Sequence, residues 1–124
     1  MPQPIQPSNL MVTAVSTANS AITATLPAAG AGLFHYITNI NCMRNATAAL
    51  AGTATLTITS TNLPGTPAWS IGNAMAAGGT QPDFDLTPTT PLKSLVANTA
   101  TTVVYPACGA AVLSRINITY YVSD

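Results

Sequence analysis

A chain of 124 residues suits one domain and not two, because single domains mostly run to about 100–150 residues and at this size roughly two-thirds of the unfolded surface can be buried. Only 5% of the residues are charged: Arg44, Lys93 and Arg115 against Asp83, Asp85 and Asp124, with no Glu and a formal net charge of zero. Three scattered cations make no phosphate-binding cluster, and no stretch approaches the ~20 apolar residues of a membrane helix.

Ala and Thr together fill 41 positions, so much of the 48% hydrophobic fraction is small alanine. So little charge leaves a free monomer without the repulsion that keeps proteins apart. Either Thr, Ser and Asn solvate the surface, or partners cover much of it.

In chain order, residues 1–9 come first and differ from the rest. Pro2, Pro4 and Pro7 disfavour both helix and central strand, which predicts an extended arm, either a disordered tail or a segment that docks on a neighbouring subunit through Ile5 and Leu10. The arm has neither positive charge nor an apolar run, so it does not read as a secretory signal. Folding in a cytoplasm is therefore expected, with Cys42 and Cys108 as free thiols rather than a bridge.

Ten prolines and eight glycines spread along the whole sequence argue against long helices, and from residue 10 onward short runs of period two argue for strands. Strands are expected at 11–17 and at 21–26, where Ile22, Ala24 and Leu26 alternate with Thr23 and Thr25. The clearest is 34–42, whose alternation puts Phe34, Tyr36, Thr38, Ile40 and Cys42 on one face and His35, Ile37, Asn39 and Asn41 on the other. Further strands fit at 54–60, at 68–72 around Trp69, at 82–87, at 101–106 and at 114–123. The breaks fall at Pro27–Gly32, Ala46–Gly52, Leu63–Pro67, Ala76–Pro82, Thr87–Leu92 and Cys108–Ala111. The Ala-rich stretches 46–51 and 74–77 are too short for independent helices and read as loops. The fold class that follows is all-β: a single antiparallel β-sandwich or jelly roll of about eight strands spanning 10–124, with the Pro-rich arm at 1–9.

Chemistry-bearing constellations are few. His35 is the sole histidine and by alternation lies among polar strand positions, so a surface or interface role explains it better than catalysis. Asp83 and Asp85, two apart on a strand, would sit on one face about 6.5–7 Å apart. That spacing could suit a glycosidase pair or two calcium ligands, but alternation with Phe84 and Leu86 explains both as the solvated side of a strand. Two Cys and one His cannot supply four zinc ligands, and Gly30-Ala31-Gly32 lacks the rest of a phosphate loop. Asn45-Ala46-Thr47 and Asn117-Ile118-Thr119 match the glycosylation sequon, which is idle without secretion. No catalytic activity, cofactor or metal is expected. Tyr120 and Tyr121 must face opposite sides of their strand; Tyr121, off the core row, is the candidate interface anchor.

Ala31-Gly32-Leu33-Phe34-His35-Tyr36-Ile37-Thr38-Asn39-Ile40, then Trp69, Gly78-Gly79, Phe84 to Leu86, Pro91-Leu92, Ala97-Asn98-Thr99-Ala100 and a last strand Arg115 to Val122, resemble in order the small β-sandwich virion proteins of tailed bacteriophages. The resemblance spans roughly 26–123, with the Pro-rich Leu63–Pro67 loop and Cys108-Gly109 as departures. It implies a capsid decoration or cement protein that binds the outer surface of the major capsid protein as a homodimer or homotrimer, on a virion assembled in the host cytoplasm. A tail, fibre or receptor-binding component is the alternative. Neither nucleic acid nor membrane is expected as a partner. The candidate interface residues are Pro4, Ile5, Leu10, His35 and Tyr121.

Overall fold

The structure, a computed structural model, describes residues 10–49, 55–72, 77–78 and 80–124, and the backbone alone for 80–83. The expected arm at 1–9, with Pro4 and Ile5, lies outside the described residues, as do 50–51 and 74–76 of the two Ala-rich stretches.

The described residues form nine strands: β1 (Leu10–Val15), β2 (Ile22–Leu26), β3 (Phe34–Ala46), β4 (Thr55–Ser60), β5 (Trp69–Gly72), β6 (Thr80–Leu86), β7 (Leu92–Lys93), β8 (Thr101–Tyr105) and β9 (Val112–Ser123). All pairings are antiparallel. One sheet runs β1-β9-β3-β6, with β7 continuing along the β6 side of β3; the other runs β2-β8-β4-β5. With the two-residue β7 set aside and the rest counted in order, each sheet alternates early and late strands in the order of a jelly roll. The chain is an all-β sandwich of this type.

Each sheet turns one row of side chains inward. In one sheet Ile22, Ala24 and Leu26 of β2 line up beside Val103 and Tyr105 of β8, with Ile58 of β4; Ile116, Ile118 and Tyr120 come from β9 in the other sheet. This β-branched and aromatic row is what a pleated, half-buried surface favours.

The long strand β3 departs from simple alternation. Ile37 pairs with Tyr120 and Asn39 with Thr119, which leaves Thr38 as an extra residue, a β-bulge. The bulge reverses the phase. Before it, His35 and Ile37 point inward; after it, Ile40, Cys42, Arg44 and Ala46 do. The sequence expectation had Phe34 and Tyr36 sharing a face with Ile40 and Cys42, because uninterrupted period two cannot anticipate one inserted residue. The Thr38 hydroxyl donates to the Thr119 carbonyl at 3.1 Å and gives the bulge a bond of its own.

β6 carries a second irregularity: Phe84 pairs with Cys42 and Pro82 with Met43, so the ladder skips Asp83. The regular two-residue spacing assumed for Asp83 and Asp85 is therefore not kept. Strand β3 also runs on to Ala46, further than the expected end at residue 42, and β7 falls in what read as the end of a loop. Cys42 and Cys108 are both buried and are not joined in a disulfide.

Deleting Thr38 should invert one half of β3 against the other and abolish cooperative unfolding. Thr38→Ala keeps the extra residue, loses one hydrogen bond, and should cost only about 1 kcal/mol in a denaturant titration.

Candidate interaction surface

The outer face of the β1-β9-β3-β6 sheet carries two apolar zones separated by a polar belt. At one end lies a cross-strand row. Tyr36 of β3 is paired with Tyr121 of β9 on one side and with Lys93 of β7 on the other. The two tyrosine rings stack with centroids 5.0 Å apart and planes 2° from parallel. Lys93 Nζ lies 4.2 Å from the Phe34 ring centroid and 5.6 Å from that of Tyr36, a cation–π contact with both. The Tyr36 hydroxyl donates to the Asp124 carbonyl at 2.7 Å and fixes the last residue across the row.

At the other end, Val15, Met43, Arg44, Asn45, Leu113, Ser114 and Arg115 line a shallow cleft of about 180 Å³. Leu113 and Val15 are exposed, and so is Met11 further along β1. The belt between the zones is held by amides. Asn39 Nδ2 donates to Asp85 Oδ1 at 2.8 Å and to Thr87 Oγ1 at 2.9 Å, and the Thr13 hydroxyl donates to Asn117 Oδ1 at 2.9 Å. Arg44 does not add a surface charge, because its side chain is buried and its Nη2 crosses the sandwich to donate to the Gly72 carbonyl of β5 at 2.8 Å.

His35 is not at the surface. It is 1% exposed, because the bulge three residues on turns this half of β3 inward. Its Nε2 donates to the Pro27 carbonyl at 2.7 Å, which leaves Nδ1 to accept from the Thr101 hydroxyl at 2.8 Å. Thr101 Oγ1 in turn accepts from Asn62 Nδ2 at 3.0 Å, and Asn62 Oδ1 accepts the Val96 amide at 2.8 Å. The chain of bonds therefore runs one way, fixes the neutral tautomer, and ties together the segments after β2, after β4 and before β8. The imidazole and the Tyr120 ring make a T-shaped contact with centroids 5.6 Å apart. Desolvation by burial lowers the His35 pKa below its ordinary value, and the bond to Pro27 offsets this only in part.

The other candidates divide. Tyr121 lies on the outer face, half-buried against Tyr36, and Leu10 opens β1 opposite Tyr120, half-buried at the sheet edge. Trp69 packs against Phe84 at 5.0 Å on the margin of the core. Sequence reasoning passed over Met11, Val15, Leu113, Leu95 and Val96, all exposed. For β1 a signal was present: Leu10 to Val15 is apolar on both faces, with only Thr13 polar. Leu95 and Val96 sit in a loop without periodicity, pinned by backbone bonds from Leu95 to Asn62 and from Ser94 to His35.

No protein-family model matches this sequence, and no curated protein matches it. Among solved structures, a similar one is the virus-like particle of the extra small virus of the giant freshwater prawn Macrobrachium rosenbergii, seen by cryo-electron microscopy. It is 11% identical, with 96% of this chain and 85% of that chain covered and a TM-score of 0.39. The jelly-roll assignment rests instead on the strand order of this chain.

The lowered pKa gives a signed expectation. Unfolding exposes an imidazole that takes up a proton more readily than the folded one, so stability present above about pH 6.5 is lost as pH falls through the folded value. No other side chain of this sequence has an ordinary pKa between about 5 and 6.5, so a melting-temperature profile over that window should fall with acidity in the native chain. It should be flat in His35→Gln, which itself should cost about 1–3 kcal/mol.

Proposed function

We propose that the chain is a structural virion protein, a decoration or cement protein that seats on the outer surface of a major capsid protein shell. The observation that carries this reading is the outer sheet face. An aromatic row around Tyr36 and Tyr121 lies at one end and a Val15–Met43–Leu113 zone at the other, with an amide belt between them; Lys93 in the row, Asp85 in the belt and Arg115 at the cleft are the charges on this face. Such a face suits a broad, flat contact better than the recognition of a small molecule.

Two further features support it. The resemblance of the Ala31–Ile40 and Pro91–Ala100 segments to virion proteins of tailed bacteriophages points to that partner class. The jelly-roll order is one that capsid domains use. Burial of apolar surface at about 25 cal/mol per Å² would supply the adhesion, and many copies on one shell would add avidity to each modest contact.

Cryo-electron microscopy of virions made with and without this chain tests the reading. Density is expected on the outside of the head at shell symmetry axes, in many copies, and heads lacking the chain should rupture at lower temperature. Density confined to the tail, with heads equally stable, would replace this reading with that of a tail or receptor-binding component.

A further inference from the structure

The two sheets present several edges, and they are not alike. The β6 and β7 side of β3 carries Pro82, Asp85, the skipped residue Asp83 and Lys93, all devices that discourage another strand from adding. β5 is four residues long and ends in Gly72. β2 keeps its apolar row fully buried and turns only Thr23 and Thr25 outward. β1 has none of these guards. Its six residues, Leu-Met-Val-Thr-Ala-Val, contain no charge, proline, glycine or bulge, and they pair with β9 on one side only among the described residues.

Both faces of β1 are also incompletely covered. On the outside, Met11 is 65% and Val15 54% exposed. On the inside, Leu10, Val12 and Ala14 pack against the core yet stay half-buried, whereas Ile116 and Ile118 of the adjacent strand are fully buried. The open side of β1 therefore offers a row of backbone donors and acceptors flanked by apolar side chains, a site whose matching ligand is another extended strand.

We propose that this ligand is β1 of a second copy, added antiparallel about a two-fold axis through Thr13. Antiparallel neighbours keep their faces, so residues of the same parity oppose each other. Centring on Thr13 sets Met11 of each copy opposite Val15 of the other on the outer face and Val12 opposite Ala14 on the inner face. The exposed apolar residues of β1 then cover one another, which is the self-complementarity a two-fold contact requires.

Electrostatics does not oppose this pairing. Arg115, the charged neighbour of Val15 on β9, comes to lie diagonally from its symmetry mate. Three strand spacings and four residues of offset put the two about 20 Å apart, beyond the ~8 Å Debye length at physiological salt. Residues 1–9 of the same chain are a poor competitor for the edge, since Pro2, Pro4 and Pro7 have no N–H to donate. The pairing joins the β1-β9-β3-β6 sheets of two copies into one continuous sheet. It does not depend on the shell-binding reading above.

Sedimentation velocity of the purified full chain, at concentrations up to about 1 mM, tests the proposal without any shell present, so its outcome and that of the virion experiment are independent. The native chain should dimerise. Met11→Lys with Val15→Lys places like charges opposite each other twice and should weaken the dimer about tenfold or more. Met11→Lys with Val15→Glu places Lys opposite Glu and should retain it; circular dichroism shows whether all three are folded. A native chain that stays monomeric, a Lys/Lys variant that dimerises as the native chain does, or a Lys/Glu variant no better than Lys/Lys would each overturn the pairing.

Discussion

One inserted residue governs the arrangement of the long strand on which the larger sheet is built. Strand β3 is flanked by β9 on one side and by β6 and β7 on the other, so its facing decides what both neighbours must match. Without an extra residue at Thr38, either His35 and Ile37 or Ile40 and Cys42 would point away from the core. With it, both halves contribute inward, and the outward positions before the bulge fall to Phe34 and Tyr36. The buried imidazole and the outward-facing aromatic row, in which Tyr36 is itself covered by its neighbours, are thus two results of the same local feature.

Much of the fold was legible because the physical signal was simple. The strands at 55–60 and 112–123 announce themselves by alternating apolar with polar residues, those at 22–26 and 101–105 give a weaker signal, and the proline and glycine breaks separate them. What escaped was whatever depends on non-local pairing. A bulge leaves no composition signature, so His35 was assigned to a polar face when the partner strand had in fact turned it inward. Strand β7 is two residues that become a strand only because β3 is there to receive them. For the candidate surface, Tyr121 could be placed by parity alone. Its stacking partner Tyr36 could not, and neither could the exposed Leu95 and Val96, whose loop is positioned by Asn62, 34 residues before Val96 in the chain.

Polar groups in this nearly uncharged chain are used inside as much as outside. Arg44 spans the sandwich, and His35, Thr101 and Asn62 connect three loops at one end. Among the described residues no buried side-chain nitrogen or oxygen lacks a hydrogen-bond partner, so this polarity is satisfied rather than stranded. On the outer sheet face the same economy holds: Lys93 lies over the Phe34 and Tyr36 rings and Asp85 accepts from Asn39.

The position of β9 also has a consequence for synthesis. It lies between β1 and β3, yet it is translated after every other strand of the sandwich. Until it emerges, β1 has no neighbour to pair with, and the buried row of Ile116, Ile118 and Tyr120 is missing from the core. The larger sheet therefore closes only when its two most sequence-distant strands meet, an ordering typical of slow, high-contact-order folding. A chain of this topology cannot complete its core until the last strand is delivered, and until then its unpaired strands are exposed to their counterparts on neighbouring chains.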